Sequence, residues 1–208
     1  KAGGATIGTG DQIEVGGAQG TVLSSDDGLN EIDASKVIIA IVDSGLDVNH
    51  PAFAGRIVNP INIVTGSTDV SDQVGHGTHV AGIAAGAWGV DPNAAGGVAS
   101  NAKIMPIKTT NDAQGRFKTA DIAKAIRYAA DNGANVINMS LGGGFKPGVI
   151  IEAIQYAESK GVVVIAASGN SGANKVAWPA RTPEAIAVGS SLDGKRSKFS
   201  QGGDRLDV

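Results

Sequence analysis

Four short stretches of the chain carry residue types that can do chemistry. Asp43 follows Val37-Ile38-Ile39-Ala40-Ile41-Val42 and opens Asp43-Ser44-Gly45. A carboxylate at the end of an apolar run is expensive to bury unless hydrogen bonds satisfy it. It serves either as a turn residue, because Asp-Ser-Gly is good turn chemistry, or as a group that orients a histidine. The second stretch is Gly75-His76-Gly77-Thr78-His79-Val80-Ala81-Gly82. Its glycines leave the His76 ring uncrowded. His76 and His79 are also three apart, the spacing of a metal-ligand pair on a helix, with Asp69 and Asp72 as further oxygen ligands. His50, before Pro51, reads as a turn-fixing side chain, and His79 as a structural one. The third stretch is Ser140-Leu141-Gly142-Gly143-Gly144. The fourth is Ser168-Gly169-Asn170-Ser171-Gly172. Asn170 there is either a left-handed turn residue or an amide aimed at negative charge developing on a carbonyl oxygen.

The elements that must position these groups are legible as periodic patterns. Val37–Val42 is a continuous apolar run, as expected of a strand buried on both faces. Ile104–Ile107, Val136–Met139, Val162–Ala167 and Ala185–Val188 are further runs of this kind. Between them lie two helical patterns. Thr119–Asn132 has Thr119 as its cap, puts Ile122, Ile126 and Ala129 on one face and stops at Gly133. Pro147–Lys160 puts Ile150, Ile154 and Ala157 on one stripe and stops at Gly161. Small residues from Ala81 to Gly86 suit close packing of a helix that follows His76. Strands alternating with such helices predict an α/β fold with a three-layer arrangement, a mostly parallel sheet flanked by helices. In such sheets function collects past the carboxyl ends of the strands, where the Asp43, Ser140 and Asn170 stretches all fall. Residues 1–36 read differently. They are rich in Gly, Asp and Ser, with alternating pieces at Ile13-Glu14-Val15 and Thr21-Val22-Leu23, and are expected to form an extended arm or loose hairpin ahead of a domain over 37–208.

Composition narrows the classes. The chain has 208 residues, enough to bury a core without staples. It has no cysteine, which excludes disulfides and a thiolate nucleophile. A net charge of −3 offers no basic face for nucleic acid. Hydrophobic residues make up 42%, too many for a disordered chain, yet no apolar run is long enough to span a bilayer. Lys1–Gly10 lacks the apolar core of a signal peptide. The 31 glycines follow no collagen period and so are expected at turns and close backbone approaches.

Taken together and in order, the four stretches resemble the subtilisin-like serine proteases, the subtilases. VIIAIVDSGLDVNHP, from Val37 to Pro51, looks like the aspartate segment of that family, and Gly75–Gly82 its histidine segment. Val136–Gly143, VINMSLGG, resembles the substrate-binding strand, and Val162–Gly172 the oxyanion asparagine segment. Phe199-Ser200 and Leu206-Asp207-Val208 are also similar to the family. The resemblance implies amide hydrolysis by a Ser-His-Asp mechanism. Asp43 would hold the histidine tautomer, His76 would act as general base and then acid, and Asn170 would donate to the oxyanion. Ser140, Leu141 and Gly142 would form one wall of the cleft and pair with the substrate backbone, and Gly115, Arg116 and Phe117 would form the opposite strand. Ala166, Ala167 and Gly169 would wall the specificity pocket, with Ala177 at its floor; small walls imply an apolar or aromatic substrate residue.

The sequence also departs from the family. No Gly-Thr-Ser occurs, so the serine nucleophile that the family carries at the start of a long helix has no counterpart in these 208 residues. Two explanations follow. In the preferred one, a complementary C-terminal fragment, on a nicked or second chain, carries the serine, and this chain alone is inactive. In the other, it is a peptide-binding relative without catalysis. A sheet lacking its last helices would expose a large apolar face and is expected to be unstable alone. Phe53, or Ala52, stands where many members carry a calcium-binding aspartate, and Ala87–Asn93 is unlike their calcium loop. No metal site is therefore placed; a weaker structural calcium site is not locatable from sequence. The resemblance implies no cofactor for catalysis, protein or peptide substrates, a propeptide in folding, and a secreted location.

Overall fold

The computed structural model describes residues 33–90 and 96–208, together with the main chain of two short strands near the N-terminus, β1 (Gln12–Val15) and β2 (Ala18–Thr21). These two pair antiparallel, Val15 opposite Ala18. The rest of the expected arm before residue 33, including Val22 and Leu23, lies outside the described residues.

In chain order the elements are β3 (Ile38–Asp43), a 3₁₀ turn (Pro51–Phe53), β4 (Ile61–Asn62), α1 (His76–Ala85), β5 (Lys103–Lys108), α2 (Thr119–Asp131), β6 (Val136–Met139), α3 (Gly148–Ser159), β7 (Val163–Ala167), β8 (Ala185–Val188) and a small hairpin, β9 (Ser191–Leu192) with β10 (Lys195–Arg196). Six strands form one sheet in the order β4-β5-β3-β6-β7-β8, every neighbouring pair parallel. Helices cover it from both sides, which is the expected α/β architecture. Under α2 and α3, Ile122, Ile126, Ala129, Ile150, Ile154 and Ala157 pack on Val42, Met105, Ile137 and Val164. On the other face Ala81 and Ala85 of α1 pack with Ile41, Ile104, Leu46 and Phe53. Both helical stripes thus face the sheet as their spacing requires.

Two local expectations need correction. Thr119 is the first residue of α2 rather than its cap; Lys118 holds the cap position in extended geometry, without a side-chain bond to the helix. Asp121 in the first turn supplies the negative charge that a helix N-terminus favours. Pro147 likewise sits at the cap of α3, one residue earlier than the helix proper.

A larger correction concerns burial. The apolar runs were expected to be strands covered on both faces. β3 and β5 are buried from Ala40 and Ile104 onward, but β7 and β8 alternate. Val164 and Ala185 are buried, whereas Val163 is 44% and Ile186 39% exposed. Register explains which face is open. Ile41 lies beside Asn138, Asn138 beside Ile165, and Ile165 beside Ile186, so these residues share the face that α1 covers at β3 and β5. With ten residues α1 covers only that half. Among the described residues, no helix packs on the same face of β6–β8, where Ile165, Ala167 and Val188 are only half-buried.

Candidate active site

The carboxyl ends of β3, β6 and β7 deliver the candidate residues to one edge of the sheet. Asp43 ends β3 and is only 1% exposed. Its buried charge is satisfied locally: Ser44 N donates to Oδ1 at 2.7 Å. His76 is the first residue of α1. Its Nδ1 lies 2.8 Å from Asp43 Oδ1 and 2.9 Å from Oδ2, centred between the two oxygens. This contact needs α1 pressed against the Asp43 turn. A Cβ at Gly77 would stand 2.2 Å from the Gly45 carbonyl oxygen and 3.1 Å from Asp43 Cβ, so only glycine permits the approach.

The His76 side chain is 48% exposed, while its partner is sealed. The hydrogen bond to Asp43 raises the pKa of the imidazole above its ordinary value; burial opposes this, and the charges of Asp43 and Asp72 add to the rise. A histidine held at Nδ1 by a buried carboxylate leaves Nε2 as the basic atom. It can take a proton from a weak acid and return it.

The metal alternative does not assemble. Asp72 accepts hydrogen bonds from Ser44, Val74, Gly75 and Thr78, and Asp69 is occupied by Ser71. Among the described residues no group of three or more His, Asp or Glu side chains is placed to hold a metal ion. His50 fixes its turn as expected, Nδ1 accepting from Ala52 N at 3.2 Å. His79 is exposed and outside the Asp43 contact.

Asn170 follows β7 in an exposed bend. The left-handed conformation foreseen for it falls instead on its neighbours Gly169 (φ 106°) and Gly172 (φ 71°), so backbone geometry does not account for an asparagine here. A cavity of about 220 Å³ opens beneath it, lined by Asn138, Ser140, Ala166, Ala167, Gly169, Asn170 and the Val188–Ser190 turn, among others. Ala166 lines the cavity, yet its side chain belongs to the core under α2 and α3. Gly142 and Ala177 fall outside that lining. They meet Gly169 elsewhere: Ala177 Cβ lies 3.7 Å from a Cβ built on Gly142 and 3.0 Å from one on Gly169.

The two expected cleft walls are not strands. Gly115, Arg116 and Phe117 lie in the loop between β5 and α2, folded around Asp112 and Thr110. Gly115 approaches Val74, just ahead of His76 (3.4 Å from a built Cβ), and Phe117 packs on the main core. Ser140–Gly142 continues past the end of β6, and the chain is next paired at Gly143, with Trp178. A strand needs a partner for its ladder, and none is present for these segments among the described residues.

The model of the Subtilase family matches residues 34–208. The chain is a subtilase. The subtilase is 41% identical over 173 residues to a thermophilic serine proteinase of Bacillus sp. (strain AK1), covering 82% of this chain and 42% of that protein. It is 40% identical over 179 residues to thermitase of Thermoactinomyces vulgaris, covering 85% of this chain and 63% of that protein. Among solved structures, a cold-adapted subtilisin-like serine proteinase superposes with a TM-score of 0.74 at 34% identity, over 88% of this chain and 66% of the other. This subtilase therefore spans about two fifths to two thirds of the length of these relatives.

The roles of two subtilase residues were missed in sequence. Asp72 had been weighed only as a metal ligand, and Ser44 only as a turn residue. Ser44 donates to Asp43 and Asp72 and accepts from Gly77 N, and Asp72 accepts from Val74, Gly75 and Thr78, so both hold the main chain around His76 through hydrogen bonds that no spacing rule reveals.

Proposed function

We propose that this subtilase supplies the aspartate, the histidine and the oxyanion donor of a serine endopeptidase. The observation that carries the reading is His76 Nδ1 centred on the sealed Asp43 carboxylate with the rest of the ring open to solvent. In this reading His76 Nε2 takes the proton of a serine hydroxyl as its oxygen bonds to the substrate carbonyl carbon. Asn170 donates to the resulting oxyanion. The C–N bond breaks, His76 returns the proton to the leaving amine, and water repeats the sequence on the acyl-enzyme to release the acid. Asp43 keeps its charge throughout and steadies the imidazolium.

The substrate main chain would run between Gly115–Phe117 and Ser140–Gly142, supplying the partner those segments lack. Ala167 and Gly169 line the cavity and are small, which favours an apolar or aromatic side chain next to the scissile bond, while Ala166 would offer only its main chain and Ala177 would lie behind Gly169. Residues 37–208 would form the catalytic domain and 1–36 an extension; the start of the family match at residue 34 supports a boundary there.

The serine would come from a complementary segment carrying Gly-Thr-Ser. Two features support its place. The face of β6–β8 beside α1 is apolar and open. The Val188–Ser190 turn lines the cavity, and Gly189 N donates to the Val208 carbonyl at 2.7 Å, so chain continuing from Val208 would emerge at the cavity mouth. No cofactor is needed for this chemistry, and a propeptide and secretion fit the same reading. No helix among the described residues is long and apolar enough to cross a membrane.

The second reading is a peptide-binding relative, which the unpaired Gly115–Phe117 and Ser140–Gly142 segments would serve equally. Intact mass of the purified protein, with a serine-directed phosphonate probe, separates them. A second polypeptide that is labelled supports the protease. The 208-residue species alone, unlabelled and still unlabelled after addition of a Gly-Thr-Ser segment, supports the binder.

A further inference from the structure

Asp72 lies four residues before His76, in the loop that leads into α1. Five donors converge on its carboxylate. Oδ1 accepts from Ser44 Oγ at 2.9 Å, Gly75 N at 2.9 Å and Val74 N at 3.1 Å. Oδ2 accepts from Thr78 Oγ1 at 2.7 Å and Thr78 N at 2.9 Å. These contacts bracket His76 on both sides of the main chain.

Ser44 closes the bracket. Its Oγ donates to Asp72 and accepts from Gly77 N at 3.0 Å, while its own N–H donates to Asp43 Oδ1 at 2.7 Å. One residue thus ties the carboxylate under the imidazole to the carboxylate beside it. Below them Lys108, at the end of β5 and opposite Asp43 in register, is 4% exposed. Its Nζ donates to the carbonyls of Ser44 (2.9 Å) and Ser71 (2.7 Å), so the same ammonium grips the residue after Asp43 and the one before Asp72.

Capping alone would ask less. A capping side chain accepts from the N–H of the second or third helical residue, as Asp72 does from Thr78 N. Here the acceptor also reaches across to β3. The need is physical: His76 is half exposed and, among the described residues, its ring is held through Nδ1, so its aim depends on the main chain that carries it.

We propose that Asp72 is a positioning residue for His76, holding Nδ1 centred on Asp43 through Ser44 and the first turn of α1, and placing a second negative charge beside the imidazole. The inference rests on reading His76 as the base. The charge state of Asp72 agrees with it. Burial works against ionisation, but the hydrogen bonds from Thr78, Gly75 and Ser44 outweigh it and hold the carboxyl below its usual range. The charged groups around His76 are then Asp43 from β3, Asp72 from the loop and, beneath both, Lys108 from β5.

The test is a ring-proton NMR titration of the full chain, which has only three histidines to resolve. Asp72→Asn is expected to move the His76 midpoint to lower pH and speed exchange of the Nδ1 proton. Asp72→Glu should recover part of the shift. Ser44→Ala keeps the charge and the caps at residues 74, 75 and 78, so it folds if Asp72→Asn does not. It should speed Nδ1 exchange with a smaller change in midpoint. A lowered melting temperature with both His76 readouts unmoved in Asp72→Asn and Ser44→Ala would make Asp72 a helix cap and nothing more. A wild-type His76 midpoint no higher than that of a free imidazole would overturn the proposal and the reading of His76 as base together. In enzyme completed with a Gly-Thr-Ser segment, Asp72→Asn should lower kcat about tenfold with KM little changed.

Discussion

His76 feels two nearby carboxylates, Asp43 through its Nδ1 hydrogen bond and Asp72 through space, and they set its behaviour with pH. Its pKa is raised in the folded state, chiefly by the Asp43 hydrogen bond. The resulting stabilisation is fully present below the unfolded value near 6.5 and is lost as pH rises through the folded value. As a base the residue works only when neutral, so activity of the completed enzyme should climb across a midpoint above that of a free imidazole. Asp43→Asn removes the charge and leaves a neutral amide contact that can invert the imidazole tautomer. It should bring the His76 NMR midpoint below the wild-type value and abolish the climb at that higher pH. An unchanged midpoint would show that the contact at 2.8 Å carries no charge coupling. In the proposed reaction Asn170 bears on a different step. Asn170→Ala should lower kcat about a hundredfold or more in completed enzyme, with KM nearly constant, because the donor acts on the oxyanion and not on the bound substrate. A rise in KM with kcat intact would assign Asn170 to substrate binding instead.

At the scale of elements, the Asn170 bend is held from outside by the tail. Gln201 N donates to the Gly169 carbonyl at 2.8 Å, Gln201 Nε2 donates to the Lys175 carbonyl at 2.7 Å, and Gly172 N donates to the Phe199 carbonyl at 2.6 Å. The Gln201 amide lies so close over Gly169 that a Cβ there would stand 2.1 Å from Oε1. Gln201→Ala should therefore reduce kcat by misplacing Asn170 while leaving the His76 titration untouched; a variant with wild-type kcat would show the bend to be self-supporting. No local pattern announces such a brace, because Gln201 is 31 residues from Asn170 and unremarkable in type. The helices are the opposite case. Ile122, Ile126 and Ala129 fall on one stripe in the sequence and under one sheet in the structure, since a 3.6-residue period admits a single buried face. Ile126→Ala should cost about 2–5 kcal/mol in chemical denaturation. The histidine cluster was legible for a similar reason, as its glycines mark a close approach. Its supports were not, because Ser44 and Asp72 are 28 residues apart and meet only when α1 docks on β3.

For the whole molecule, the parallel order of the strands could be read from alternating runs and helices, but the covering of the sheet could not. A run such as Val163–Ala167 is equally apolar on both sides, so it declares that both faces want cover without saying what provides it. The structure answers for one face only. On the other, Val163 and Ile186 remain 44% and 39% exposed, with Ile165, Ala167 and Val188 half-buried among them. A contiguous patch of this kind drives association when nothing caps it. The chain by itself should therefore self-associate and bind a hydrophobic dye, and a segment carrying Gly-Thr-Ser should suppress both as it restores phosphonate labelling. Val163→Glu with Ile186→Lys tests the location. Both positions are exposed in the lone chain, so the pair should change its stability by no more than about 1 kcal/mol, yet raise its monomer fraction in sedimentation velocity. The same pair should weaken capture of the completing segment, because a charge would then be buried without a partner. Association that persists in the double variant, together with undiminished capture, would place the docking face elsewhere on the molecule.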